Sequence, residues 1–121
     1  MAPMQLYKWD AMSAEPLNPR LTRKAIHTEN LTIARMELRR GCTVPEHSHV
    51  NEQVSMVESG ALRFGIGGGE QVVRAGECLA IPPHVPHRVE ALEDSIVVDV
   101  FSPPREDWIR GDDAYLKTGT A

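Results

Sequence analysis

The sequence predicts an all-β fold, a small barrel or sandwich of short strands. Three observations lead there. Nine Gly and nine Pro punctuate the 121 residues at short intervals. No amphipathic helical window longer than about ten residues persists, and β-patterned runs bounded by turn residues recur along the chain. "RKAIHT" and "LTIARMEL" flank "EN", which reads as a hairpin turn. "QVSMVES" and "ALRFGI" meet at Gly60, and "GGGE" turns into "QVVRAG" without the helix start that a phosphate cradle needs. "CLAIP", "PHRVEAL" and "SIVVDVFS" complete the set. The C-terminal "REDWIRGDDAYL" is the segment that would hold a short helix, or else be irregular. With no internal repeat and no linker, residues 1–121 are expected to form one domain, long enough to bury a single core unaided.

Composition narrows the function. A net charge of −4 and the lack of any Lys/Arg run argue against a nucleic-acid partner. The longest apolar stretches, such as "SIVVDVF", are strand-sized and too short to span a membrane. "MAPMQLYKWDAMSAEP" has no basic segment followed by an apolar run, so no signal peptide is read there. Cys42 and Cys78 are therefore expected to be reduced and buried, and the protein soluble and cytoplasmic.

The stretch "GCTVPEHSHVNEQVSMVESG" carries His47 and His49, and on a strand residues two apart project to one face. Gln53 shares their parity and Glu52 does not. Without a bulge, Gln53 faces the histidines and Glu52 faces away. His87 follows "IPPHVP", where three prolines stiffen the approach to a strand. Alone, His47 and His49 read equally well as a solvated loop pair, and His87 as a turn residue. Four of the five histidines, however, fall in two compact segments, each opened by a glycine, which favours a metal site.

"SIVVDVFSPPRED" is the second informative run. Val98 and Val100 share one face, and Val97, Asp99 and Phe101 share the other. If Val98 and Val100 pack between the sheets, Asp99 and Phe101 face the lumen, and Arg105, after two prolines, folds back over its mouth as a bidentate carboxylate clamp. In the alternative, Asp99 caps a turn, Phe101 is core, and Arg105 pairs with Glu106 or Asp107 on the surface.

Gly41, His47, His49, Gln53 and Gly60 resemble the first motif of the cupins (about residues 41–60), with glutamine where glutamate is usual. Gly76, Pro82 and His87 resemble the second (about 76–91), and the likeness covers residues from about 20 to 105. It implies a single cupin β-barrel (double-stranded β-helix or jelly roll) with a short irregular or helical C-terminal tail. One divalent metal would sit in the lumen, held by His47, His49, Gln53 and His87. His84 stands where the second motif has glycine and Ala91 where it often has asparagine; neither position is a ligand in the family. An all-neutral ligand set leaves the full charge on the ion, which suits an anionic oxygen substrate and Lewis-acid polarisation. It differs from the two-histidine, one-carboxylate set of non-haem iron oxygenases, and Ni, Fe, Zn, Mn or Co would all suit it.

"HSHVNEQ", "IPPHVPH" and "DVFSPPREDW" together are similar to the pectin-degradation cupins. Members of that family convert unsaturated monouronates, released by pectate and alginate lyases, into linear ketonised uronates. The resemblance implies a small anionic sugar acid as substrate and a homodimer as the assembly. It implies that Asp99, Phe101 and Arg105 serve the reaction, and a mechanism consistent with these residues has Asp99 as acid or base, Phe101 as pocket wall and Arg105 as carboxylate anchor. Two other outcomes are carried: a cupin dioxygenase or lyase on another small acid, and a metal-containing binding or sensory cupin without turnover.

The remaining residues are read more plainly. Arg23 and Lys24 are expected to decorate a strand surface, with binding of an acid substrate as the other reading. His27 is not expected to be a ligand, and His84 is structural or solvated at the rim. Met36 and Met56 are assigned to the core. Trp9 and Trp108, near the termini, are expected at a dimer interface.

Overall fold

The computed structural model describes residues 3–118, so the first two and last three positions of the expected 1–121 unit lie outside the described residues. A short 3-10 turn, Trp9–Ala11, precedes the first strand. Then follow β1 (Glu15–Asn18), β2 (Leu21–His27), β3 (Thr32–Leu38), β4 (Thr43–His47) and β5 (Glu52–Ser59). The rest are β6 (Ala61–Ile66), β7 (Gly69–Arg74), β8 (Cys78–Ile81), β9 (His87–Ala91), β10 (Ser95–Ser102), α1 (Glu106–Ile109) and α2 (Ala114–Thr118). The strands form a six-stranded sheet in the order β1-β2-β3-β10-β5-β8 and a four-stranded sheet in the order β4-β9-β6-β7, antiparallel throughout. From β4 onward the chain passes repeatedly between the sheets, which is the expected jelly roll.

β2 and β3 pair as the expected hairpin about "EN". β5 and β6 do not pair; they lie in different sheets, and Gly60 is the corner between them. β1 and β4 were not anticipated because each contains a proline, Pro16 and Pro45, which weakens a strand pattern. Both strands lie at sheet edges, where a missing N–H costs no ladder bond. "REDWIRGDDAYL" holds two short helices with a turn between them.

The alternation of β10 sets the interior. Ser95, Val97, Asp99 and Phe101 are buried, whereas Ile96, Val98 and Val100 are half-buried on the outer face. Val98 and Val100 thus lie outside rather than between the sheets, and it is Val97, Asp99 and Phe101 that point inward. Leu21, Met36, Leu62, Phe64 and Val97 meet in the core, which Trp108 and Leu116 of the C-terminal segment close. Met56, expected in the core, faces outward and is half-buried, because β5 turns Gln53, Ser55 and Val57 inward instead. Cys42 is buried as expected, but Cys78 is exposed on edge strand β8. No helix among the described residues is long and apolar enough to cross a membrane.

Gly60 is the position where the backbone demands glycine. Its φ is +85°, and a Cβ there would run into Ser95 Oγ and the Asp94 carbonyl. Gly67 also has positive φ, at +58°, but nothing lies within 4 Å of its Cβ position. Gly60→Ala should therefore destabilise the fold by roughly 2 kcal/mol or more, and Gly67→Ala by about 1 kcal/mol. Urea unfolding of the two variants checks the difference; equal midpoints would contradict the corner assignment.

Candidate metal centre

His47, His49 and His87 each bring one ring nitrogen to a common point, with the three atoms within 4.8 Å of one another. Their ring centroids are 4.3 Å (His47–His87), 5.1 Å (His49–His87) and 5.7 Å (His47–His49) apart. His47 ends β4 and His87 begins β9, and the two residues face each other across the ladder. His49 lies in the bend that carries the chain to β5 in the other sheet. The strand alternation expected across 47–53 therefore does not apply. Gln53 faces inward by the separate alternation of β5, while Glu52 is exposed.

A backbone carbonyl holds each imidazole. His47 Nδ1–H donates to Pro45 O at 2.8 Å, His49 Nδ1–H to Asn51 O at 3.0 Å, and His87 Nδ1–H to Val85 O at 2.9 Å. A carbonyl only accepts, so Nδ1 carries the hydrogen in all three and Nε2 is left with its lone pair. Burial keeps the rings neutral: His47 and His49 are lowered to about 4, and His87 is lowered too, with the nearby Arg105 charge adding to the effect.

Gln53 completes the set. Its Nε2–H donates to Ser55 Oγ at 3.0 Å, which turns Oε1 toward His49 Nε2, also 3.0 Å away. Two acceptors then face each other with no hydrogen between them, while His87 Nε2 is buried without a partner. A cation relieves both conditions. The residues fit a divalent metal on three Nε2 atoms and one amide oxygen.

Asp99 stands opposite Ser55 in the β10–β5 ladder, at the middle of the sheet rather than in a turn. It lines a cavity of about 40 Å³ together with His47, Gln53, His87, Phe101 and Arg105. Burial pushes its carboxyl up to about 6, against the opposing pull of a hydrogen bond from Ser55 and the charge of Arg105. Its Oδ1 has no partner. Phe101 presents its ring edge-on to His49 with centroids 5.6 Å apart, so it serves as core and as site wall at once.

Arg105 is buried, 1% exposed, which corrects the surface placement in the alternative reading. It pairs with Asp107, Nε to Oδ1 at 2.9 Å and Nη2 to Oδ2 at 2.8 Å, yet it does so in the interior and not on the surface. Its guanidinium also stacks on Phe101 and Trp108, with the central carbon 4.7 and 4.2 Å from the ring centroids. Arg105 N–H donates to Thr32 Oγ1, and Asn51 Nδ2 donates to the carbonyls of Pro103 and Pro104, so the approach to the site is fixed at several points. Arg23 is not surface decoration. It is buried, paired with Glu15 at 2.8 Å and Asp113 at 2.7 Å, and stacked on Trp108. Lys24, on the other face of β2, donates to Trp9 O. Trp108 packs within its own chain in place of the expected dimer interface, and Trp9 is half-buried.

The structure brings all seven expected residues, His47, His49, Gln53, His87, Asp99, Phe101 and Arg105, to one region. His27 lies apart and interacts with Thr32 Oγ1. His84 is exposed with φ +67°, the conformation that glycine adopts most easily. Ser55 and Tyr115 were not anticipated. Ser55 shares parity with Gln53 and was within reach of that argument; Tyr115 lies in an irregular tail that offers no period to read.

The cupin domain family profile matches residues 34–101. The pectin degradation protein KdgF of Dickeya dadantii is 26% identical over 98 residues, covering 78% of this chain and 89% of that protein. The structure of KdgF from a Halomonas species superposes with a TM-score of 0.81 at 30% identity, covering 86% of this chain and 99% of that one. An RmlC-like cupin from Shewanella frigidimarina also gives a TM-score of 0.81, at 27% identity, covering 88% and 96%.

Divalent metal should raise the melting temperature of metal-stripped protein, and His87→Ala should abolish the rise. Glu52→Ala should leave it unchanged, and Gln53→Ala should reduce it. Thermal melts across a metal titration check this; loss of the shift in Glu52→Ala would overturn the ligand assignment.

Proposed function

The chain belongs to the cupin domain family, and from that premise we propose that it is a metal-dependent enzyme converting a 4,5-unsaturated monouronate to its linear keto form without redox chemistry. The observation that carries the reading is Asp99, a buried carboxylate with one unpaired oxygen, on the wall of the same cavity as three neutral imidazoles and a neutral amide. The similarity to a pectin degradation protein supports the substrate class.

Ring opening of such a sugar acid is an isomerisation. The bond between the anomeric carbon and the ring oxygen breaks, the anomeric hydroxyl loses its proton, and C4 gains one as the enol becomes a ketone. Asp99 takes the first proton and returns one to C4. A carboxyl near 6 leaves both of its forms accessible around neutral pH. Ser55 stands opposite Asp99 in the ladder, and the unpartnered Oδ1 is the oxygen left to react. A divalent ion on His47, His49, His87 and Gln53 would supply Lewis-acid polarisation of a substrate oxygen. Phe101 forms the apolar wall. Asp107 occupies Nε and Nη2 of Arg105, so the Nη1 edge is the part of that guanidinium left to meet the substrate carboxylate. The cavity of about 40 Å³ is far below the roughly 300 Å³ or more of ordinary ligand pockets. A monouronate therefore needs the cavity to widen, and Arg105, Trp108, Tyr115 and Leu116 are among its lining residues.

The assembly in this reading is a homodimer formed through the outer face of the six-stranded sheet. Ile26, Ile33, Val100, Val54 and Ala80 stand in register in a row across five strands, and the row beside it carries Val98 and Met56 next to Arg35 and Lys24. Arg35 of this face pairs with Glu37 and Glu58, and the outer face of the four-stranded sheet carries the ion-paired Arg63, Glu70, Arg88 and Glu90. A second copy meeting the first across a two-fold axis covers the apolar row with itself.

Asp99→Asn should abolish loss of the 4,5-double-bond absorbance of unsaturated galacturonate while metal content stays at the wild-type level. Metal-loaded wild type that leaves the absorbance falling at the spontaneous rate would overturn the reading. Val98→Arg should halve the mass measured by light scattering; an unchanged mass would move the interface elsewhere.

A further inference from the structure

Tyr115 lies on α2 and lines the cavity with His47, His87 and Asp99. Its ring stands 4.6 Å from that of His47, centroid to centroid. Its hydroxyl oxygen accepts from Arg105 Nη2 at 2.6 Å and from Trp108 Nε1 at 3.0 Å. Arginine and tryptophan have no acceptor to offer in return. The oxygen is thus filled by two incoming donors, and its own hydrogen is committed to neither. Among the described residues no acceptor takes that hydrogen. A donor fixed from two sides, on the wall of a cavity read as taking an anion, is a built recognition element. Burial raises the Tyr115 phenol further above its ordinary range, so it remains a neutral donor at working pH.

We propose that Tyr115 is a substrate-contacting residue whose O–H donates to the carboxylate of the bound sugar acid, beside the free Nη1 edge of Arg105. The inference rests on the reading of the cavity as a uronate site and adds to it. Arg105 supplies charge, and Tyr115 supplies a directed donor. The pairing distinguishes an acid from its neutral derivatives, because a bound ester lacks the anionic oxygen that makes such a hydrogen bond strong. Asp107 serves as positioning residue, since it keeps Nη2 aimed at the Tyr115 oxygen.

The test compares wild type with Tyr115→Phe, loaded with the same metal, on unsaturated galacturonate and in calorimetric binding of saturated galacturonate and its methyl ester. Tyr115→Phe should raise KM and the dissociation constant for the acid about tenfold, with a much smaller change in kcat and in ester affinity. Trp108→Phe is the control for a loosened tail, because it removes one donor to Tyr115 but keeps the phenol; its acid-to-ester ratio should fall less than that of Tyr115→Phe. If Tyr115→Phe does not fold, 3-fluorotyrosine incorporated in a Tyr7→Phe background keeps ring and hydroxyl and makes a more acidic donor. It should tighten binding of the acid and not of the ester. An unchanged acid-to-ester ratio in Tyr115→Phe, or in the fluorinated protein, overturns the inference while leaving wild-type turnover and the reading beneath it intact. Wild type that neither turns over nor binds a uronate overturns that reading, and this inference with it.

Discussion

Three backbone carbonyls, those of Pro45, Asn51 and Val85, hold the chemistry of this molecule in place. Each takes the Nδ1–H of one histidine and so leaves the lone pair on Nε2. Were one of these bonds lost, the ring would be free to turn or to exchange tautomers, and a nitrogen carrying hydrogen would point at the common centre. The carbonyls themselves are placed by the fold. Two belong to residues two positions before their histidines, in segments stiffened by Pro45 and Pro86, and the third belongs to the bend that carries the chain from one sheet to the other. The jelly-roll crossings are therefore what convert three separate histidines into one cluster.

The same logic of one committed and one free atom extends inward. Gln53 commits its NH₂ to Ser55, which frees its carbonyl oxygen for the centre. Asp99, opposite Ser55 in the ladder, has Oδ1 free. A buried polar atom left unpaired costs roughly 1–3 kcal/mol, so His87 Nε2 and Asp99 Oδ1, on residues of one small cavity, form a local instability that a bound group would relieve. Arg23 and Arg105 share this mark, since Arg23 Nη1 is buried without a partner and Asp107 leaves Nη1 of Arg105 over. Both guanidiniums are buried, but acidic partners and stacked aromatic rings surround them, so they act first as structural ties for the C-terminal segment.

Much of the fold was legible in the sequence, because "LTIARMEL" and "SIVVDVFS" carry clean period-two alternation bounded by turns. Strands β1 and β4 were not, since each has a proline tolerated only by an edge position that local pattern cannot reveal. Gln53 was identified by an alternation that the chain interrupts; it is inward because β5 restarts the period, and the two phases happen to agree. The inward direction of Asp99 was legible once β10 was recognised, whereas the burial of Arg105 and Arg23 was not. Their partners Asp107 and Asp113 lie in a tail without periodicity, and Arg23 meets Asp113 only through the folded chain. Tyr115 was missed for the same reason.

The order of functional residues along the chain has a further consequence. Every candidate metal donor lies before residue 88, in the strands and crossings of the barrel. Asp99, Phe101 and the residues that roof the cavity lie after it, on the last strand and the tail. The molecule is thus written in two consecutive passages, an inorganic one and an organic one, joined at a single turn between β9 and β10. Recombination or drift confined to the second passage alters what the cavity admits while the ligand donors stay as they are. Such an arrangement lets the wall and roof of the cavity change, from β10 onward, while the candidate donors of the barrel keep their places.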